Sequence, residues 1–228
     1  MIGIIPSAGK GSRLNMGTKG LVDVKGRHLI EYPLMNMLEL GIKRVIIIEN
    51  ENDISNVLQY NWNGIALEYV SQKEKKGIAH AISLTKDLIK DEEVCIILGD
   101  IIYYGELKPM KRALHKKKFG EEELDLIVGM KKIELKSQIS KSYGLKGGRF
   151  YEKPAKPQSF RSLLGLGIYM AKTKALFEAI EKTQMDEKGE IQITNALNNF
   201  ERRKHFILDG FYTNINTKEE LEEYENRR

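Results

Sequence analysis

The chain has 228 residues, 41% hydrophobic and 30% charged, enough for the core of one substantial domain and inconsistent with an intrinsically disordered chain. Its single cysteine, Cys95, excludes a disulfide within the chain, and no run of roughly eighteen apolar residues is present to form a membrane span. The formal charge of +5 suits a small anionic substrate and makes no demand for nucleic acid. Pro6 and Gly9 interrupt the apolar opening too soon for a secretory leader. The expectation is a soluble, cytoplasmic protein with no membrane or nucleic-acid partner.

The opening stretch carries the densest chemistry. Residues 2–5 are a short apolar run bounded by turn residues, which predicts a buried strand. Ala8-Gly9-Lys10-Gly11-Ser12 follows, a loop of small residues whose backbone N–H groups can turn inward around an anion. Arg13 adds a planar, permanently charged fork suited to phosphate oxygens, and Lys19 a second cation within reach of the same ligand. Two familiar phosphate loops do not fit. The P-loop pattern needs a glycine where Ile4 stands, and the dinucleotide pattern needs one where Leu14 stands.

Beyond this loop, residues 21–24 predict a short extended segment and Lys25-Gly26 a turn. Apolar residues from Leu29 to Leu40 recur at helical spacing and stop at Gly41, a C-cap residue. Residues 44–48 are a β-branched run typical of a strand covered on both faces. A helix over 54–60, a strand over 65–70, a helix over 79–89 and a strand over 94–98 continue the alternation, which implies a parallel sheet of βα units. Gly9, Gln72 and Asp100 each follow a predicted strand, so they are expected to meet in one crevice at the strands' carboxyl ends. The basic run over 110–118 reads as a solvated helix end. A strand over 124–130 precedes a looser stretch over 131–148. A strand over 165–170, helices over 173–182 and 191–203, a strand over 205–208 and a charged terminal helix over 219–228 complete the chain. With no proline- or serine-rich linker, the expectation is one domain, 1–228, divided functionally near residue 130.

Three further groups suggest chemistry. Asp100 stands at the carboxyl end of a buried strand, where a carboxylate can hold Mg²⁺ or cap a turn. Gln72 carries an amide able to donate and accept at once, matching the N3–H and O4 edge of uracil or thymine, and Gly77 would let the backbone approach the same base. In Glu152-Lys153-Pro154 the glutamate could accept from hydroxyls while the lysine holds a phosphate.

These segments together resemble the sugar-1-phosphate nucleotidylyltransferases, most of all the glucose-1-phosphate thymidylyl- and uridylyltransferases. The resemblance rests on Gly9-Lys10-Gly11-Ser12-Arg13, Lys19, Gln72 to Ala81, Leu98-Gly99-Asp100 with its following residues, Glu152-Lys153-Pro154 and Gly189-Glu190 to Asn195. It implies a Rossmann-like three-layer α/β/α sandwich with a mixed, mostly parallel central sheet. It implies a nucleoside triphosphate and a sugar-1-phosphate as ligands, Mg²⁺ as cofactor, and transfer from UTP or dTTP with release of pyrophosphate. By the same resemblance Arg13, Lys19 and Lys153 are catalytic, and Ser7, Ala8, Gly9, Gly11, Ser12, Gln72 and Gly77 bind the nucleotide. Tyr143, Gly144, Glu152 and Lys153 bind the sugar phosphate, in a half spanning 131–228 set against a nucleotide-binding half, 1–130. Asp100 and Asn214 hold the metal, and a homo-oligomer is expected. Thr18 replaces a family proline, Asn195 an aspartate, and Asn214 the aspartate that is the second metal ligand. Asn214 keeps an oxygen donor but no charge, so weaker metal binding is expected. Two other readings stay open: cytidylyl transfer to a polyol or alcohol phosphate, and a non-catalytic sugar-nucleotide-binding subunit.

Overall fold

The computed structural model describes residues 1–9, 17–115 and 123–227. Lys10, Gly11, Ser12 and Arg13 of the opening loop, and 116–118 of the basic run, lie outside the described residues.

The chain opens with β1 (Ile2–Pro6). A 3-10 turn, Lys19–Leu21, leads into the small ribbon β2 (Asp23–Val24) and β3 (Arg27–His28), so only half of the segment expected to be extended is strand. Helix α1 (Glu31–Glu39) takes Pro33 in its first turn, where no intrahelical N–H is needed. Gly41 ends it at φ +75°, letting the Ile42 N–H reach back to the Met37 carbonyl at 3.0 Å and the Gly41 N–H to that of Leu38 at 2.9 Å. Next come β4 (Arg44–Glu49), α2 (Asp53–Leu58), β5 (Asn61–Trp62), β6 (Ile65–Ser71) and α3 (Ile78–Ser83). Helix α3 is shorter than the expected 79–89. Thr85 turns its hydroxyl back to the Ile82 carbonyl at 2.8 Å, and a 3-10 turn, Lys86–Leu88, replaces the last helical turn.

Strand β7 (Glu93–Ile97) is followed directly by β8 (Ile101–Tyr104), and α4 (Lys108–His115) leads to β9 (Leu126–Lys132). The stretch that reads as loose in the sequence holds the start of a hairpin, β10 (Tyr143–Lys146) and β11 (Arg149–Glu152), turned at Gly147-Gly148. The long β12 (Leu163–Lys172), α5 (Thr173–Glu181), α6 (Ile193–Leu197), β13 (Arg203–Ile207), β14 (Phe211–Asn214) and α7 (Lys218–Glu225) finish the chain. The helix expected over 191–203 is therefore reduced to α6. The Asn198 amide bonds the Phe150 N–H and carbonyl of β11, the Asn199 amide bonds the Ala179 carbonyl of α5, and Arg203 is already paired with Leu126 of β9.

Among the described residues, ten strands form one sheet. Strands β6, β4, β1 and β7 lie side by side and parallel. β12 runs antiparallel to β7, β9 and β10, and β13 is parallel to β9. Only β5, β11 and β12 oppose the common direction, so the sheet is mixed but mostly runs one way. Its two faces are buried by different helices. Ile2, Ile4, Ile46, Ile48, Val94 and Ile96 pack on one side with residues of α3, α5 and α6. Ile5, Val45, Ile47, Cys95 and Ile97 pack on the other with residues of α1, α2 and α4. Strict alternation in β1, β4 and β7 thus makes the central layer of an α/β/α sandwich. Cys95 is fully buried and its thiol is pushed up to about 12 by desolvation, so at neutral pH it is a packing residue and not a nucleophile.

Candidate active site

The carboxyl ends of the parallel strands are tied together by backbone bonds. The Gly99 N–H donates to the Pro6 carbonyl at 3.0 Å, the Ser7 N–H to Ile48 at 2.7 Å, and the Gln72 N–H to Glu49 at 2.7 Å. The exits of β7, β1, β4 and β6 therefore form one rim, which brings the Gly9, Gln72 and Asp100 loops onto the same end of the sheet. Ser7 serves this rim structurally. Its N–H is spent on Ile48, and a Cβ at either Gly20 or Gly99 would stand 2.7 Å from its hydroxyl.

One polar cluster on the rim is built around Lys19. Its ammonium donates to Asp100 Oδ2 at 2.7 Å and to Asn216 Oδ1 at 2.6 Å, with the Lys19 and Asp100 side chains only 15% and 25% exposed. Each partner is held from behind. Thr18 has φ −67°, the value a proline would impose, and donates its hydroxyl to Asp53 of α2. The expected proline's geometry survives, and the hydroxyl adds an anchor. Asp100 is placed by the short antiparallel pair β8–β14 and by the Ile215 N–H donating to its carbonyl at 3.0 Å. Asn216 precedes a capping box: Thr217 Oγ1 accepts from the Glu220 N–H at 3.3 Å, and Glu220 Oε2 accepts from the Asn216 N–H at 2.8 Å.

Asn216 was absent from the residues singled out in the sequence. The structure brings it to Lys19 and Asp100, whereas Asn214 ends β14 opposite Ile101. The Thr217-x-x-Glu220 capping signature is the signal that could have drawn attention to Asn216. Among the described residues no group of three or more His, Cys, Asp or Glu side chains could enclose a metal ion. The Asp100 carboxylate and the Asn216 amide oxygen that meet at Lys19, with Asn214 at the end of β14, are hard oxygens of the kind that suits Mg²⁺ when phosphate oxygens complete the coordination.

On the other side of the rim the Gln72 side chain is nearly buried. Its Nε2 lies 3.1 Å from the Gly77 carbonyl oxygen and 3.1 Å from His80 Nδ1. The Gly77 carbonyl thus accepts from the Gln72 amide, while the donor and acceptor roles at His80 turn on the imidazole tautomer. Gly77 also packs closely against neighbouring backbone. At φ +90° its missing side chain leaves room for the backbone of Ile191, whose N–H donates to the Lys76 carbonyl at 2.7 Å while the Ala79 N–H donates to the Ile191 carbonyl at 3.1 Å.

Tyr143, Gly144 and Glu152, the residues expected to meet a sugar phosphate, lie on the β10–β11 hairpin, and Lys153 follows it. Tyr143 and Glu152 are direct cross-strand partners, and Gly144 faces Tyr151. The Tyr143 ring is buried and stacks on Tyr169, with centroids 6.2 Å apart, so most of it is core; its hydroxyl accepts from the Gly167 N–H at 3.4 Å. Tyr212 connects the two clusters. Burial raises its phenol above the ordinary range, and the negative charge of Asp100 and the proximity of Tyr143 add to the rise. Lys153 is held at φ +36° while its N–H donates to the Ser142 carbonyl at 2.7 Å; its ammonium lies 3.8 Å from Glu152. A non-glycine residue in the left-handed region is a strained position of the kind found at ligand sites.

Desolvation raises the Glu152 carboxyl above the usual glutamate range, offset in part by the Lys153 charge and the Thr194 hydroxyl. The folded state therefore holds this proton more tightly than the unfolded chain. The stabilising difference is fully present below the unfolded pKa and is lost as pH rises through the folded one. Glu152→Gln is expected to raise Tm near neutral pH, with the advantage vanishing at about pH 4, while KM for the sugar phosphate increases. Thermal melts across pH, beside steady-state kinetics, check both parts; a Tm difference that does not change with pH would contradict the assignment.

The sequence matches the family described as Nucleotidyl transferase over residues 2–212. It is 27% identical over 243 residues to the UTP--glucose-1-phosphate uridylyltransferase AglF of Haloferax volcanii, covering all of this chain and 96% of that protein. It is 28% identical over 249 residues to the UTP--glucose-1-phosphate uridylyltransferase of Bacillus subtilis, covering 91% of this chain and 83% of that one. A solved structure of UDP-glucose pyrophosphorylase complexed with UDP-glucose superposes with a TM-score of 0.80 at 23% identity, over 99% of this chain and 97% of that one, a likeness of fold. With Gly9, a lysine–aspartate pair and a buried glutamine set along one rim of this sheet, the chain belongs to the nucleotidyl transferase family and is an enzyme of that class.

Proposed function

We propose that the enzyme transfers a nucleoside monophosphate from UTP or dTTP to a sugar-1-phosphate, with glucose-1-phosphate the first candidate, and releases pyrophosphate. The observation that carries this reading is the placement of Gln72 and the Lys19–Asp100–Asn216 cluster on strand exits three positions apart in the sheet. At strand spacings near 4.8 Å that is about 14 Å, a span on the scale of a nucleoside triphosphate. The names of the Haloferax and Bacillus relatives support the choice of glucose-1-phosphate.

The acceptor phosphate is an anion at neutral pH, so its oxygen attacks the α-phosphorus without a general base. What the protein must supply is alignment and neutralisation of charge. In this reading Lys19 draws the α-phosphate toward the site, Lys153 holds the sugar phosphate, Glu152 accepts from sugar hydroxyls, and Arg13 would stabilise the departing pyrophosphate. The oxygens of Asp100, Asn214 and Asn216 would hold Mg²⁺, which when bound supplies further neutralisation of phosphate charge.

The test is pyrophosphate release with Mg²⁺ and glucose-1-phosphate against UTP, dTTP, CTP, ATP and GTP in separate reactions. Release with UTP or dTTP is expected. Release with CTP alone would replace this reading by cytidylyl transfer. Nucleotide binding without release for any sugar phosphate would mark a non-catalytic site, with the uncharged Asn214 as the first suspect.

A further inference from the structure

We propose that His80 is a positioning residue that locks the Gln72 amide in one orientation and thereby sets the preference for uracil or thymine over cytosine. This rests on the reading of Gln72 as the base contact. The orientation of a glutamine amide follows from its neighbours, and here one neighbour admits a single answer. The Gly77 carbonyl oxygen is an acceptor only, so the Gln72 atom 3.1 Å from it must be the NH₂ group. We assign the second proton of that group to His80 Nδ1, also 3.1 Å away, where the donor and acceptor roles turn on the imidazole tautomer. That nitrogen must then carry a lone pair, which places the imidazole proton on Nε2. With both amide protons engaged, Gln72 presents Oε1 alone, and Oε1 can only accept.

The consequence is a polarity at the base. Uracil and thymine carry an N3–H donor that meets Oε1, whereas cytosine N3 is an acceptor and would set one lone pair against another. Glycine's carbonyl alone does not enforce this. Without an acceptor at position 80 the amide keeps one internal hydrogen bond in place of two, and giving up that one turns its NH₂ toward the base and serves cytosine. The position of His80 one turn into α3, whose N-cap is Gly77, fixes the imidazole relative to both groups.

The test compares kcat/KM for UTP and CTP, with one sugar phosphate, in the wild type, His80→Leu and His80→Gln. His80→Leu is expected to lower the UTP:CTP ratio by about tenfold, the scale of one hydrogen bond to a base, mainly through KM. His80→Gln keeps an acceptor and is expected to restore the ratio. A folded His80→Leu enzyme with an unchanged ratio would overturn the proposal, since a purely packing role moves both nucleotides alike. The ¹⁵N shifts of His80 in the wild type give a second readout that does not depend on any variant folding. A protonated Nδ1 in the neutral imidazole would overturn the proposal, and a protonated Nε2 would support it. Wild-type enzyme inactive with both UTP and dTTP would instead remove the underlying reading of Gln72, so the two failures are distinguishable.

Discussion

Asp100→Asn is expected to lower the rate of pyrophosphate release by about 10²–10³-fold, the usual cost of removing one preorganised electrostatic group from a phosphoryl-transfer site. The substitution is nearly isosteric and leaves an oxygen able to accept from the Lys19 ammonium now 2.7 Å away. The lysine is therefore expected to stay where it is, and the β8–β14 ladder that carries the position does not depend on the side chain. What disappears is the charge. Lys19 would then face two amides in a partly buried setting, and the metal set would contain no carboxylate among Asp100, Asn214 and Asn216. Because Asn214 already contributes no charge, this variant should need markedly more Mg²⁺ to reach half-maximal rate. Steady-state rates against Mg²⁺ concentration, with a melt to confirm an unchanged fold, test this. A rate within a few-fold of wild type would show that Asp100 is not the metal ligand.

Gly77→Ala should be the more disruptive change to structure. A Cβ there would lie 2.6 Å from the Ile191 carbonyl oxygen and 2.9 Å from its nitrogen. These are backbone atoms of a segment clamped to Lys76 and Ala79 by two hydrogen bonds, so they cannot swing aside as a flexible side chain would. The residue also sits at φ +90°, which an L side chain adopts only with strain. Steric and conformational costs together suggest a loss of about 2–3 kcal/mol, or roughly 5–10 °C in Tm for a chain of this size. The Gly77 carbonyl also orients Gln72, so KM for the nucleoside triphosphate should rise in the same variant. Differential scanning calorimetry and nucleotide titration check the two effects. An unchanged Tm would mean that the Ile191 segment moves freely, contrary to its hydrogen bonding.

The central layer was legible because its code is local. The runs in β1, β4, β6 and β7 are short, apolar and β-branched, and each is cut by turn residues, so strand identity follows from a few neighbouring side chains. The chain ends of α1 and α5 were equally plain. Less visible were β8 and β14, whose partners lie more than a hundred residues apart and whose sequences read first as chemical motifs. Helix α6 was overestimated because Asn198 and Asn199 fit a helical pattern until their amides are seen bonded to β11 and α5.

The sequence by itself determined the kinds of groups available: a small-residue loop with cations, an aspartate and a glutamine after buried strands, and a glutamate–lysine pair near a turn. These depend on residue type and short spacing, which a linear chain displays in full. Tertiary structure alone decided which of these groups meet. Asn216 joined Lys19 and Asp100 because a helix cap and a distant two-stranded ladder meet there. The Gln72 amide meets the Gly77 carbonyl and His80 Nδ1, and Gly77 leaves room for the Ile191 backbone. Such assignments rest on hydrogen-bond directions good to a few tenths of an ångström between segments far apart in sequence, and register between those segments exists only once the sheet has formed.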